Sequence, residues 1–203
     1  EDDMNRDSVI RGLEAISRCM DDNREMLIEL DSRNGDGDLG ISMSEGFRAA
    51  YAAAASSEGN IGRLLKQAAF SLNEAAPSSL GTITTIILMT MAGQLAGMDE
   101  VSLSQLGEAM TAGLEKVMER TGSAPGEKTI LDALIPAAET LANGGSLQES
   151  AAAAAAGAES TKDMLPVHGR AAYYGEKGLG LEDGGAVAGK LAFEALEKEF
   201  GGI

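Results

Sequence analysis

Apolar residues recur at helical spacing along nearly the whole chain, and no run alternates as a half-buried strand does. Val9, Leu13, Ile16, Met20, Leu27 and Leu30 step by three, four or seven and predict a first helix over 7–30, with Asp7 as its N-cap. Further helices are predicted over 42–55 and 61–75. Pro77 separates the latter from an uncharged helix that begins near Ser79. The clearest stripe, Leu103, Leu106, Met110, Leu114 and Val117, predicts a helix over 102–120, opened by a Ser102/Gln105 capping box. After a turn-rich stretch at 121–128 a helix starts near Thr129. It carries Pro136, where a kink is expected, and ends at Gly144 and Gly145. The alanine run 151–156 reads as a helix suited to close packing, and a last helix runs from the glycine-rich segment 168–186 to Phe200. The pattern predicts about eight helices joined by short loops, an all-α fold in which residues 1–203 form one domain.

Composition agrees. Tryptophan is absent and aromatics make up 3% of the chain, so alanine, leucine, isoleucine and methionine must build the core, which favours helices over sheets. Residues 75–98 carry no charge and are about long enough to span a bilayer. They also hold Ser78, Ser79, Thr82, Thr84, Thr85, Thr90 and Gln94, whose transfer to lipid is costly, and so predict a buried helix. A net charge of −16 makes nucleic acid and anionic membranes poor partners. Cys19 is the single cysteine and suits a reducing compartment, and the acidic N-terminus lacks a leader pattern, so a cytoplasmic location is expected. A single histidine, His168, leaves little room for a zinc site or a Ser-His-Asp triad.

Three loops concentrate the chemistry: 31–40, 121–128 and 168–185. In the first, DSRNGDGDLG, three carboxylates (Asp31, Asp36 and Asp38) crowd between flexible glycines. Their mutual repulsion calls for a hard cation with oxygen ligands. Counted from Asn34, with Asp36, Asp38 and Glu45 following, the loop resembles an EF-hand calcium loop. Leu39 stands where that loop needs glycine, however, and no second loop accompanies it. Asp31, Asp36 and Asp38 together instead suggest a magnesium site, and a solvated Asx-rich turn without a ligand is the bland reading. GEKT at 126–129 is a poor P-loop, because Glu127 separates Gly126 from Lys128 and no strand precedes it. As a helix start it still offers free N–H groups to an anion. Ser78, Ser79, Thr82, Thr84 and Thr85 either bond back to their own helix or help hold a phosphate. Arg170 could grip a phosphate or make a plain surface ion pair, and Asp183 could serve as an N-cap.

Taken in order, these pieces resemble the L subunit of dihydroxyacetone kinase, the nucleotide-binding DhaL family, over nearly the whole chain. LDSRNGDGDLG resembles that family's metal loop, APGEKTILDALIPAAETL its PGDKTM…D…P segment, and GRAAYYGEKGLGLEDGGA its GRASYLGERSIGHQDPGA. The resemblance implies an antiparallel barrel of eight amphipathic helices with a nucleotide at one end. It implies that Asp31, Asp36 and Asp38 bind two magnesium ions bridging the phosphates of ADP or ATP. By the same resemblance Leu39, Gly40, Ile41 and Ser42 lie near the phosphates, and Ile83 and Thr84 occupy phosphate-loop positions. Thr121 and Ile130 lie near the nucleoside, and Arg170 with Asp183, Gly184 and Gly185 completes the contacts. The implied activity is phosphoryl transfer to dihydroxyacetone or a related short-chain ketose held by a separate K-type subunit. In phosphotransferase-dependent versions an M-type phosphohistidine protein recharges bound ADP. The chain departs from the family at three places: Leu39 stands where His or Thr is common, Gly81-Thr-Ile-Thr-Thr85 replaces GGASG, and DGGA replaces DPGA. These changes leave a second reading open, a non-catalytic helical binding or regulatory module.

Overall fold

The computed structural model describes residues 3–201. Nine α-helices are present among them: α1 (Arg6–Asp22), α2 (Arg24–Ser32), α3 (Leu39–Ser56), α4 (Ile61–Ala75), α5 (Ser79–Gln94), α6 (Leu103–Thr121), α7 (Leu131–Ala142), α8 (Leu147–Ser160) and α9 (Gly184–Phe200). Two short strands, β1 (Met4–Asn5) and β2 (Glu100–Val101), pair antiparallel, with Met4 opposite Val101. The expected all-α architecture is present.

Three local expectations need correction. The first helix is two helices, broken at Asn23, whose φ of −104° and ψ of 9° leave the helical region. The Asn23 backbone N–H closes the last helical bond of α1 to the Cys19 carbonyl at 3.1 Å, while its side-chain amide donates to the same carbonyl at 2.8 Å, a local bond that competes with helix continuation. The N-cap of α1 is Asn5, whose Oδ1 accepts from the Ser8 N–H at 3.0 Å, and Asp7 sits in the first turn. The third helix starts at Leu39 rather than Ser42. The α4 bounds match expectation, as does the α6 capping box, in which the Gln105 side chain accepts from Ser102 N–H at 2.9 Å. A second capping box, Ser146 with Glu149, opens α8.

Eight helices form a closed ring. Neighbours run α1, α3, α4, α5, α6, α7, α8, α9 and back to α1, while α2 packs outside this sequence against α3 and α9. Short connections join α3 through α8 in turn, and the longer segments 23–38 and 161–183 join α1 to α3 and α8 to α9, so that directions alternate around the ring. Residues 23–38, 76–78, 122–130 and 161–183 therefore gather at one end of the barrel. Residues 57–60, 95–102 and 143–146 gather at the other, which the β1–β2 pair also closes. Leu27, Met43, Leu64, Leu114, Leu131 and Phe193 are among the largest fully buried side chains. Within the ring lies an apolar cavity of about 170 Å³, lined by residues such as Leu13, Phe47, Ile87 and Leu134. The uncharged α5 is one wall of this barrel, and no described helix is long and apolar enough to cross a membrane.

Pro136 lies inside α7 and has no N–H for the Asp132 carbonyl one turn earlier. That freed carbonyl packs against Gly157 of α8, where an added Cβ would clash with it at far less than contact distance. Proline on one helix and glycine on the next thus bring the α7 and α8 backbones together. Ala151, Ala154 and Ala158 are buried along α8. Gly157→Ala tests this contact. Helix propensity alone would stabilise the alanine variant by about 1 kcal/mol. Overpacking against backbone costs about 1–3 kcal/mol and is expected to win, lowering the urea midpoint without changing the denaturant slope.

Candidate metal and phosphate site

The acidic loop lies at the connection-rich end where α2 hands over to α3. Asp31 projects from the last turn of α2, Asp36 from the intervening turn, and Asp38 occupies the N-cap position of α3. Gly37 takes a φ of 77°, which lets the chain reverse between the last two carboxylates. One carboxylate oxygen from each of the three lies within 4.8 Å of the others. Burial raises the Asp38 pKa, and the charge and hydrogen bond of Asp36 and the charge of Asp31 raise it further, against the opposing pull of Arg170. The donor set is oxygen alone and carries excess negative charge, which fits a hard divalent cation. Glu45, which an EF-hand would require beside Asp36 and Asp38, instead pairs with Arg24 at 3.8 Å. Asp31 completes the cluster in its place.

The start of α3 adjoins these carboxylates. The start of α3 has no side-chain cap, so the Gly40 and Ile41 N–H groups remain free of one. The Leu39 N–H points to Asp31 Oδ2 at 3.4 Å, and the buried Ser42 donates its N–H to the Asp38 carbonyl at 2.8 Å. The Leu39 side chain is buried, and a Cβ on Gly184 would stand 2.7 Å from its Cδ2. Leu39 is thus an apolar wedge between the starts of α3 and α9. Ile130 backs Gly185 on the other side. Arg170 pairs with one member of the cluster at the surface, its Nε 3.5 Å from Asp36 Oδ2. Asp183 caps α9 by accepting from the Ala186 N–H at 2.8 Å, and burial pushes its pKa up to about 6.

The remaining expected residues lie at the same end, but their hydrogen bonds go elsewhere. Thr84 is buried, lines the central cavity and donates its hydroxyl to the Leu80 carbonyl at 2.8 Å. Thr82 and Thr85 bond back to Ser78 and Gly81 in the same way, and Ser78 caps α5 through the Gly81 N–H. Ile83 packs against the core. Thr121 donates to the Val117 carbonyl and meets the Ser123 hydroxyl at 3.0 Å.

The 124–132 stretch differs from its sequence reading. The Gly126 and Thr129 N–H groups are not free for an anion, because the Asp132 carboxylate accepts both, at 2.6 and 2.8 Å. The Thr129-x-x-Asp132 spacing, a capping-box pattern, carried that signal. Lys128 faces inward, is 3% exposed, and donates from Nζ to the carbonyls of Thr161, Gly178 and Leu181 at 2.7, 2.9 and 2.6 Å. Nothing in the local sequence distinguishes it from a surface lysine. Glu127 binds the His168 ring and accepts from the Ala124 N–H.

Comparison with known proteins shows the family of the chain. A family model described as the DAK2 domain matches residues 34–198. L-erythrulose 1-kinase of Mycolicibacterium smegmatis is 30% identical, aligned over 93% of this chain and 35% of its own length. The ADP-binding subunit DhaL of the PEP-dependent dihydroxyacetone kinase of Escherichia coli is 27% identical, over 89% of this chain and 92% of the subunit. The crystal structure of the dihydroxyacetone kinase from C. freundii in complex with AMP-PNP and Mg2+ matches with a TM-score of 0.76. It is 27% identical, covering 94% of this chain and 33% of that one. The chain therefore spans about a third of the erythrulose kinase and nearly the full length of the separate subunit. Its fold matches that of a solved dihydroxyacetone kinase, and the chain belongs to the DAK2 domain family.

Proposed function

We propose that this chain is the nucleotide-binding subunit of a short-chain ketose kinase, presenting magnesium-bound ADP or ATP to a separate K-type ketose-binding unit. The observation that carries this reading is the convergence of Asp31, Asp36 and Asp38 within 4.8 Å beside the uncapped start of α3, with Arg170 facing them. Two magnesium ions held by the aspartates would neutralise phosphate oxygens and the charge that develops during transfer. The free N–H groups of Gly40 and Ile41 suit phosphate oxygens, and Arg170 supplies a cation on the opposite side. Leu39 withholds a polar side chain from this site and instead fixes the spacing between the α3 and α9 starts. Thr121 and Ile130 flank the connection where a nucleoside would rest, and Ile83, Thr84 and the Asp183-Gly184-Gly185 turn are the remaining candidate contacts.

The names of the relatives support dihydroxyacetone or erythrulose as the acceptor. Where phosphoenolpyruvate is the ultimate donor, as the name of the Escherichia coli relative states, an M-type phosphohistidine protein would recharge bound ADP.

Calorimetric titration with ADP, with magnesium and then with EDTA, tests the reading. Binding is expected only with magnesium, and Asp36→Asn is expected to abolish it. Unchanged ADP affinity in that variant would sink the metal assignment, and absence of binding to the wild type would favour the non-catalytic module.

The Asp183 carboxyl yields a second expectation for the EDTA-treated protein. Its folded pKa of about 6 exceeds its ordinary value of 3.8, so the folded state holds more protons than the unfolded state between those values. Stability contributed by the protonated group is therefore lost as pH rises through that window. Asp183→Asn keeps a capping side chain and removes the buried charge. It is expected to raise the melting temperature at pH 7.5 by a few degrees, about what a small-domain stabilisation of 1 kcal/mol gives. The gain should shrink through that window and vanish below about pH 3, where the wild-type carboxyl is protonated in both states. Calorimetric scans across that range would read this directly.

A further inference from the structure

The segment 161–183, between α8 and α9, is a long loop whose two ends meet. The Gly180 N–H donates to the Lys162 carbonyl at 2.8 Å, and the Asp183 N–H donates to the Thr161 hydroxyl at 2.9 Å. A closed neck of this kind resembles that of an Ω-loop, a compact surface loop whose ends meet and which is frequently functional. Two short 3₁₀ turns, Arg170–Tyr173 and Gly175–Gly178, occupy the part beyond the neck, and Arg170 begins the first.

Lys128 enters this neck from the α6–α7 connection. Its ammonium has three donors, and three main-chain carbonyls take them: Thr161 from the outgoing limb, and Gly178 and Leu181 from the returning limb. The carbonyls converge as they would around a bound monovalent cation, and the lysine supplies that cation covalently. Among the described residues Lys128 is the only non-glycine with positive φ, at 61°. Glycine would adopt that backbone more readily. A strained residue retained where glycine fits better points to a use for its side chain. The neighbouring Glu127 pins the same loop further out, binding the His168 ring and accepting the Val167 N–H on its carbonyl.

We propose that Lys128 is a positioning residue: its buried ammonium clamps both limbs of the 161–183 loop and thereby holds Arg170 over the three-aspartate cluster. The part concerning Arg170 rests on the nucleotide-binding reading, whereas the clamp itself does not.

The full chain tests both parts. Lys128→Met keeps an unbranched side chain of nearly the same length without its donors, and Lys128→Gly relieves the backbone while removing the side chain. In both variants, amide hydrogen exchange across 162–180 is expected to accelerate by about tenfold or more, the loss expected from hydrogen bonds to a charged group. Exchange in α3 to α6 should stay as in the wild type. n-Butylammonium chloride should restore slow exchange in Lys128→Gly, whereas tetramethylammonium chloride, which has no N–H, should not. Magnesium-ADP affinity should fall by about tenfold in Lys128→Met. Combining it with Arg170→Met should cost no more than the larger single loss, because both remove the same contact.

Unchanged loop exchange in both variants, equal effects of the two salts, or loss of the cooperative thermal transition in both variants would overturn the clamp. Faster exchange with undiminished ADP affinity, or additive losses in the double variant, would overturn the positioning of Arg170. Failure of the wild type to bind magnesium-ADP would defeat the nucleotide reading and leave the exchange and salt measurements to decide the clamp.

Discussion

The packing of α1 against α9 closes the ring of eight helices, and the site depends on that closure. Alternating directions in a closed ring send every second connection to the same end. Four connections that are remote in sequence therefore meet there: the aspartate loop, the 76–78 link, the 122–130 turn and the 161–183 loop. Rigid walls hold these loops, and the walls owe their rigidity to small residues as much as to large ones. The Asp132 carbonyl freed by Pro136 meets Gly157, and alanines line α8, so the walls approach closely around a core with few aromatic side chains.

Charge is distributed unevenly at the loop-rich end. Three carboxylates crowd on the α2–α3 side, while on the α8–α9 side Arg170 reaches toward them and Lys128 is buried in the loop neck. Helix starts add their own polarity, and the uncapped α3 offers positive N–H groups beside the acidic cluster. A strongly acidic protein can in this way present a local field suited to a metal–phosphate complex. Loop 124–132 connects the two sides. Its Asp132 holds the turn, its Glu127 reaches His168, and its Lys128 fills the neck of the loop that carries Arg170.

Much of this was legible in the residues. Helix periods, the Ser102 capping box and the Pro77 break follow from local rules, and their positions held to within a few residues. The break at Asn23 escaped because the apolar stripe steps from Met20 to Leu27 without losing phase, so periodicity runs through it. The aspartates stood out because like charges so close in sequence need a reason. The hydroxyl cluster at 78–85 could be read in two ways, and in the structure Ser78 caps the helix while Thr82, Thr84 and Thr85 bond back along it.

By itself, the sequence determined the helical class, the places of most helices, and the loop in which carboxylates would gather, because spacing, caps and local charge act over a few residues. Its motif order also carried the resemblance to a nucleotide-binding kinase family. Tertiary structure alone decided that Glu45 pairs with Arg24, that Leu39 is a buried wedge, and that Lys128 turns inward to carbonyls 33 to 53 residues away. Those outcomes depend on which backbone groups are brought together when the ring closes. A lysine written in a turn has the same local signature whether its ammonium meets water or the converging ends of a distant loop.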